Sequence, residues 1–295
     1  MDSVINFIKR EYLVFPLFAL LVAVFYGGAL GNGYVYDDVL IIPQNPYIKS
    51  LAYLPKVITG CMWEHTYYDQ CKGRALYYRP MHTLSYILTY QLSQNPWIFH
   101  LVNLIYFAIA VSLVFVLAKI LTKNFIIAFV SALVFLAHPV NSETVNWISA
   151  VPELTFAIFV LLAVIFYIKY RQSGKAKNFW TSAVLYFLAV LSKEPAALLP
   201  LIFILIDWRL FGMGIKDFFN LKEIKQYLVF AGFLIIYLLM RFAVLGSVVA
   251  EGPAAHFSFA ERIYGFLFLF GRYLGKLLYP WPLVFFYRTD LSLNF

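Results

Sequence analysis

The sequence predicts an all-α polytopic membrane protein. Its apolar fraction is 62% with only 13% charged residues, its apolar residues gather into eight runs, and its basic residues cluster at alternate ends of those runs. Soluble domains carry roughly 45–50% apolar residues, and a helix needs about 20 to cross a hydrocarbon core. The few charged groups must therefore occupy aqueous loops or a site the fold is built around.

The runs are Leu13–Leu30, His100–Leu121, Phe125–Ala137, Leu154–Ile168, Phe179–Leu191, Ala196–Ile206, Tyr227–Leu245 and Ile263–Leu278. The first is read as a retained helix, because no clear small-residue cleavage site follows it and Asp37-Asp38 come soon after. Translocation disfavours Lys and Arg in short external loops. Lys9 and Arg10 precede the first run; Lys119 and Lys123, then Lys169, Arg171, Lys175 and Lys177, then Arg209, Lys216, Lys222 and Lys225 follow the second, fourth and sixth. These groups are expected in the cytoplasm, which leaves Gly31–Trp97, His138–Glu153, Ser192–Pro195 and Gly246–Glu261 facing the periplasm or exterior of a cell inner membrane. Trp180 and Trp208 then fit the inner interface, and Trp147 the outer one. The net charge of +8 suits an anionic inner leaflet. It does not point to nucleic acid, since the cations bracket the spans.

Roughly 30 residues separate Lys177 from Arg209, too few for two crossings of about 20 residues each. The tip Ser192-Lys193-Glu194-Pro195 is thus expected below the outer surface, where Lys193 and Glu194 either form ion pairs or line a polar cavity. Neighbours on a helix do not face each other, which favours other partners for both. The first connection, Gly31–Trp97, is too long to be a simple link. Ile48, Leu51, Leu54 and Ile58 predict one interfacial helix in it; Pro80 with Leu84, Ile87, Leu88 and Leu92 predicts a second. Helices lying flat there would roof a membrane cavity. Cys61 and Cys71, the only cysteines, read as a disulfide in an oxidising compartment or as two free thiols. No C-x-x-C or H-x-x-x-H spacing occurs. A divalent cation stays open as a cofactor, with Asp38 or His138 as its ligand.

Polar residues predicted on the outer side fall into three groups: Tyr36-Asp37-Asp38 with Arg79 and His82; His138, Glu143 and Glu153; and Lys193-Glu194. Arg241 lies toward the outer end of the seventh run. A carboxylate base beside cations at a lipid surface suits transfer from a lipid-linked phosphosugar, in which an acceptor hydroxyl loses its proton and a lipid phosphate departs. The same residues also admit plainer readings: the acids solvating a helix end, Arg79 anchoring to headgroups, His138-Pro139 stopping a helix, and Arg241 bridging helices.

The chain resembles the polytopic GT-C glycosyltransferases that use polyprenyl- or dolichyl-phosphate sugars, most closely the transmembrane O-mannosyltransferases with tetratricopeptide repeats and their bacterial relatives. The blocks are Tyr36-Asp37-Asp38 with Asn45-Pro46, Tyr78-Arg79-Pro80 with Leu84-Ser85, Phe99-His100-Leu101-Val102-Asn103, His138-Pro139-Val140 through Glu143 to Trp147-Ile148-Ser149, and Leu191-Ser192-Lys193-Glu194. They keep their order over residues 34–207. The resemblance implies one GT-C-like transmembrane domain over 1–295 with loop 31–97 above the cavity, and Asp37 or Asp38 as catalytic base. It also implies a polyprenyl-phosphate-linked mannose or other hexose as donor, and an extracytoplasmic protein or glycan as acceptor. Arg79, His138, Lys193 and Arg241 are expected at the donor phosphate, and Tyr36, His82, Glu143, Glu153 and Glu194 around the substrates. Two departures stand out: no repeat domain falls within these 295 residues, and Ala150-Val151-Pro152-Glu153 stands where relatives often carry a basic residue followed by an acid. A lipid-linked sugar flippase and a non-catalytic membrane subunit are the competing expectations.

Overall fold

The structure, a computed structural model, describes residues 11–62, 64–65, 77–247 and 258–284; Lys9, Arg10 and Cys71 lie outside them. Among the described residues all regular structure is helical. Every apolar run is a helix: α1 Val14–Tyr26, α5 Pro96–Thr122, α6 Phe125–Ala137, α8 Val151–Ser173, α9 Ala176–Ser192, α10 Leu199–Phe211, α11 Leu221–Leu245 and α12 Phe259–Leu278. Shorter helices fill the connections: α2 Asp37–Ile41, α3 Leu54–Thr59 and α4 Pro80–Leu92 before α5, and α7 Asn141–Asn146 before α8.

The boundaries follow local chemistry. Proline occupies the first turn of α4, α5, α8 and α10, where its missing N–H costs no hydrogen bond. The Asn124 side chain caps α6 by accepting from the Ile126 and Ile127 amides. Gly174 and Gly212 end α8 and α10 with φ of +67°, a left-handed conformation in which a Cβ would be strained.

The long helices alternate in direction, so two ends can be named: a loop end, carrying the connection between α1 and α5, and the opposite end. Helix α5 packs on α1, α6 and α8, and α8 forms its closest partnership with α9, which leans on α11. Hydrophobicity does not drive helices together in lipid, so close packing and interhelical hydrogen bonds must. The α8–α9 seam supplies both, with Ala163, Ala183 and Ala189 fully buried and Ser182 Oγ donating to the Ala163 carbonyl at 2.8 Å. Exposed apolar side chains such as Leu20, Val24, Phe25, Leu239 and Phe242 are the lipid-facing surface of such a bundle. Four helical stretches are long and apolar enough to cross a membrane: Val14–Gly31, Pro96–Thr122, Ile148–Ser173 and Leu221–Leu245. At 1.5 Å per residue, α9 with 17 residues reaches about 26 Å and α10 with 13 about 20 Å, short of a core about 30 Å thick. The α9–α10 tip is short in the way its residue count predicts. Trp180 and Trp208, both exposed, sit toward the opposite end.

Three expectations change. The interfacial helix predicted through Ile48, Leu51, Leu54 and Ile58 is instead two 3-10 turns, Pro46–Ile48 and Leu51–Tyr53, followed by α3. Asn45 and Ser50 cap those turns from their side chains, restarting the chain direction each time, and Ile48 is buried while Leu51, Leu54 and Ile58 are exposed. The second predicted helix exists as α4, but its buried face is His82, Ser85, Tyr86 and Thr89 with Ile87, and Leu88 and Leu92 point outward. The third concerns α12, read as one of about eight transmembrane or partly inserted helices. Its C-terminal end lies at the loop end, where the Leu277 carbonyl bonds His138 Nε2 at 3.1 Å. Glu261, Arg262, Arg272 and Lys276 interrupt its apolar residues, and its apolar side, including Phe259, Phe266, Phe270 and Leu274, is exposed. This is an amphipathic helix of the kind that lies along a membrane surface.

Away from the loop end, Asp207 of α10 is fully buried at the centre of a polar network. It accepts from Tyr167 Oη at 2.6 Å, from Tyr227 Oη and from the Arg171 guanidinium through two nitrogens, and Arg171 also pairs with Glu223 at 2.8 Å. The network pins α8, α10 and α11 together. Removing one partner of a buried pair strands the other. Asp207→Ala should therefore lower unfolding stability in detergent micelles by about 3–5 kcal/mol. Glu223→Gln, which leaves Arg171 its Asp207 partner, should cost less; equal losses would show that Asp207 is not the hub.

Candidate functional site

The Tyr36-Asp37-Asp38 block is built on an unusual turn. Tyr36 holds φ 50° and ψ −117°, a conformation that costs a non-glycine residue on the order of 1–3 kcal/mol and is tolerated only where surroundings enforce it. The enforcement comes from Asp38. Its amide donates to the Val35 carbonyl at 3.0 Å, and its Oδ2 accepts from the Val35 amide at 3.1 Å, closing the turn from both sides. Its Oδ1 reaches across to the link between α7 and α8, accepting from the Ser149 amide at 2.9 Å and from Ser149 Oγ. Asp38 is fully buried; burial raises its pKa, and hydrogen bonds from Ser149, Val35 and Trp147 pull it partly back.

Asp37 differs in each respect. It is half-buried, and no hydrogen bond or ion pair engages its carboxylate among the described residues. Burial first, and the Asp38 charge second, raise its pKa above the ordinary aspartate range. The two adjacent acids occupy the first turn of α2, and the difference between them comes from Ser149.

Tyr36 opens onto a cavity of about 530 Å³ whose wall includes Glu143, Trp147, Tyr273 and Lys276. The rings of Tyr36 and Trp147 lie 6.4 Å apart. Burial, then the Glu153 charge, raises the Glu143 pKa. Sequence reasoning missed Tyr273 and Lys276, because the last run was read only as an apolar segment. The available signal was the charge pattern of α12: Glu261, Arg272 and Lys276 share the side opposite Phe259, Phe266, Phe270 and Leu274.

The cations predicted to meet a phosphate do come together at the loop end, each with a carboxylate. Glu194, at the α9–α10 tip, accepts from Arg79 Nε at 3.2 Å and its terminal nitrogen at 2.8 Å, and from Arg241 of α11 at 3.3 Å. Lys193 Nζ donates to Glu153 Oε1 at 2.8 Å. Lys193 and Glu194 thus take separate partners. Helix α4 joins these pairs to the acids: Arg79, His82 and Tyr86 follow one another at three- and four-residue steps, with the His82 and Tyr86 rings 4.4 Å apart. Tyr86 Oη donates to the Ile148 carbonyl at 2.9 Å, and the hydroxyl feels the charges of Asp38, Glu153 and Asp37. His82 is fully buried, with no partner for either ring nitrogen among the described residues. Burial and then the Arg79 charge push its pKa down to about 3, so its ring is neutral.

His138 is occupied differently. Its Nδ1 accepts from the Val140 amide at 3.2 Å, which leaves Nε2–H to donate to the Leu277 carbonyl. It stops α6 and clips α12 to the loop end. Cys61 is disulfide-bonded, while Cys71 lies outside the described residues. No group of three or more His, Cys, Asp or Glu side chains suits a metal ion among the described residues. Asp38 and His138, the two candidate ligands, already spend their polar atoms on protein donors and acceptors.

The division between the acids is testable without any assay of activity. Asp38→Ala strands the buried donors of Ser149 and Val35 and should cost about 1–3 kcal/mol in chemical denaturation. Asp37→Ala should stay within roughly 0.5 kcal/mol of wild type. Equal losses would mean that Asp37 is also a structural group.

Curated proteins similar to this chain are named protein O-mannosyl-transferases. The chain is 30% identical over 187 residues to protein O-mannosyl-transferase F38B6.6 of Caenorhabditis elegans, covering 62% of this chain and 26% of that protein. It is 31% identical over 170 residues to human protein O-mannosyl-transferase TMTC1, covering 57% and 19%. With Drosophila melanogaster protein O-mannosyl-transferase Tmtc2 the identity is 26% over 257 residues, covering 82% and 26%. These matches span about a quarter or less of each relative's length. No protein-family model and no solved structure matches the chain.

Proposed function

We propose that this chain is a GT-C-type membrane glycosyltransferase. It moves a hexose, mannose by likeness to its named relatives, from a polyprenyl phosphate to a hydroxyl of an extracytoplasmic protein or glycan, and inverts the anomeric carbon. The observation that carries the reading is the unengaged Asp37 carboxylate at the strained Tyr36 turn, beside a cavity and on the same end of the bundle as three cations. The alternation of basic clusters supports a loop end facing the periplasm or exterior.

In this reading Asp37 accepts the proton of the acceptor hydroxyl as its oxygen forms the new bond to the anomeric carbon. The bond from that carbon to the phosphate oxygen breaks on the opposite side of the sugar ring, and polyprenyl phosphate leaves with one more negative charge than it carried as a diester. Arg79, Lys193 and Arg241 offset that charge in this reading. Glu194 uses two of the five N–H donors of the Arg79 guanidinium, so Arg79 can meet a phosphate without leaving its partner. His82, neutral and buried beside Arg79, adds no charge to this group. A raised pKa suits Asp37 as a base, because a stronger base takes the proton more readily as long as it stays ionised at working pH.

Purified protein supplied with labelled polyprenyl-phosphate mannose and a hydroxyl-bearing peptide tests the assignment. Asp37→Asn should reduce transfer by about 10²–10⁴-fold while donor binding persists; near wild-type transfer would remove Asp37 from the chemistry. Transfer should also depend on pH in a stated direction. Asp37 gains a proton as pH falls, so the rate should drop on the acid side through a pKa above the ordinary value of about 3.9, and a profile flat across that region would oppose a carboxylate base.

A further inference from the structure

The segment that leads into α4 alternates sides. Tyr77, Tyr78 and Arg79 form no regular structure, and Pro80 bars Arg79 from the helical region, leaving it at φ −133° and ψ 73°. In an extended stretch the side chains at i and i+2 share a side, and the one between points away. Tyr78 is accordingly buried, its Oη donating to the Ile58 carbonyl at 2.8 Å. Tyr77 is exposed, and the Arg79 guanidinium lies over its ring, with Cζ 4.3 Å from the ring centroid.

Arg79 is therefore held twice. Its Nε and Nη2 donate to Oε2 of Glu194 at 3.2 and 2.8 Å, and the Tyr77 ring supports its face. An edge contact alone lets a guanidinium swing about the bonded edge; an aromatic face removes that swing, and the planar fork of arginine suits both contacts. Together they leave Nη1 as the terminal nitrogen with no hydrogen-bond partner among the described residues. Glu194 has further duties, since it stands at the α9–α10 tip and its Oε1 accepts from Arg241 at 3.3 Å. Tyr77 has none that compete: among the described residues, Arg79 is the one side chain that its ring or hydroxyl engages by a ring, hydrogen-bond or charge contact. An exposed ring engaged with one arginine does not serve the core.

We infer that Tyr77 is a positioning residue: with Glu194 it clamps the Arg79 guanidinium from face and edge, and so presents Nη1 to the phosphate of a polyprenyl-phosphate ligand. The inference rests on the reading of this end of the bundle as a lipid-phosphate site, and it adds which side chains fix the cation there. A clamp of this kind raises affinity because the arginine is already ordered when the ligand arrives. The contact uses the ring, so the Tyr77 hydroxyl is dispensable.

The test uses the full chain in detergent micelles with equimolar polyprenyl phosphate and polyprenol of the same chain length, and native mass spectrometry to read the ratio retained. Wild type should retain the phosphate in excess. Tyr77→Leu should cut that ratio about two- to fivefold, the worth of a cation–π contact at a partly exposed position. Tyr77→Phe should keep the wild-type ratio. In an Arg79→Gln background Tyr77→Leu should have no further effect, because Tyr77 acts through Arg79. An unchanged ratio in Tyr77→Leu, equal losses in Tyr77→Phe and Tyr77→Leu, or the same loss with Arg79 already replaced would overturn the inference and leave the phosphate site standing. Equal retention of both lipids by wild type would overturn the inference together with the lipid-phosphate reading. Failure of sugar transfer, with these ratios as expected, would touch the catalytic assignment alone.

Discussion

The shortness of the α9–α10 hairpin governs the loop end of this bundle. Two helices that together contain too few residues for two crossings must turn within the membrane, and the turn carries Lys193 and Glu194. Charges at that depth are costly unless paired. Glu194 draws Arg79 from the long first connection and Arg241 from α11, and Lys193 draws Glu153 from the start of α8. One short hairpin therefore ties the first connection, the start of α8 and α11 to a single point, where Arg79, Lys193 and Arg241 gather with their carboxylates.

The second tie, from Asp38 to Ser149, divides two chemically identical neighbours. Ser149 and Val35 satisfy the Asp38 carboxylate and sink it into the interior, while Asp37 stays half-buried and unengaged. The same tie holds Tyr36 in its positive-φ turn. A carboxylate with an elevated pKa, fixed on a strained turn by its own neighbour, has the features expected of a group kept for chemistry rather than for stability. Asp207 is the contrast: three side chains converge on it through four donor atoms, it is fully buried, and it locks three helices. Among the described acids, Asp38 and Asp207 are satisfied by donors from separate elements, whereas the carboxylate of Asp37 meets none.

The described structure also gives the long first connection a physical role. It does not form a flat pair of helices; it folds around Ile41, Ile42, Ile48 and Val57, which pack against Tyr86, Phe99 and Ile148. That cluster seats α4 against the tops of α5 and α8, and α4 in turn carries Arg79, His82 and Tyr86 from the ion pairs toward the acids. The connection roofs the bundle by packing downward with its own apolar residues.

The helices were legible in the sequence because hydrophobic length is a local property: all eight apolar runs are helices, with proline and glycine near the ends where backbone chemistry puts them. The alternation of basic clusters was equally local, and so was the shortage of residues in the α9–α10 hairpin. The Tyr36-Asp37-Asp38 block was visible, but its asymmetry was not. Ser149 lies 111 residues from Asp38, and Glu194 lies 115 from Arg79, and no periodicity reaches across such separations. The same limit hid Asp207, one residue beyond the apolar run that ends at Ile206, and it misdirected α12, whose length fits a crossing while its charges fit a surface. Sequence by itself determined which segments are helical and how many charges must be accommodated among them. Tertiary structure alone decided which charge meets which, because a partner is chosen by proximity after folding, and that choice separates a buried, fully hydrogen-bonded carboxylate from its unengaged neighbour.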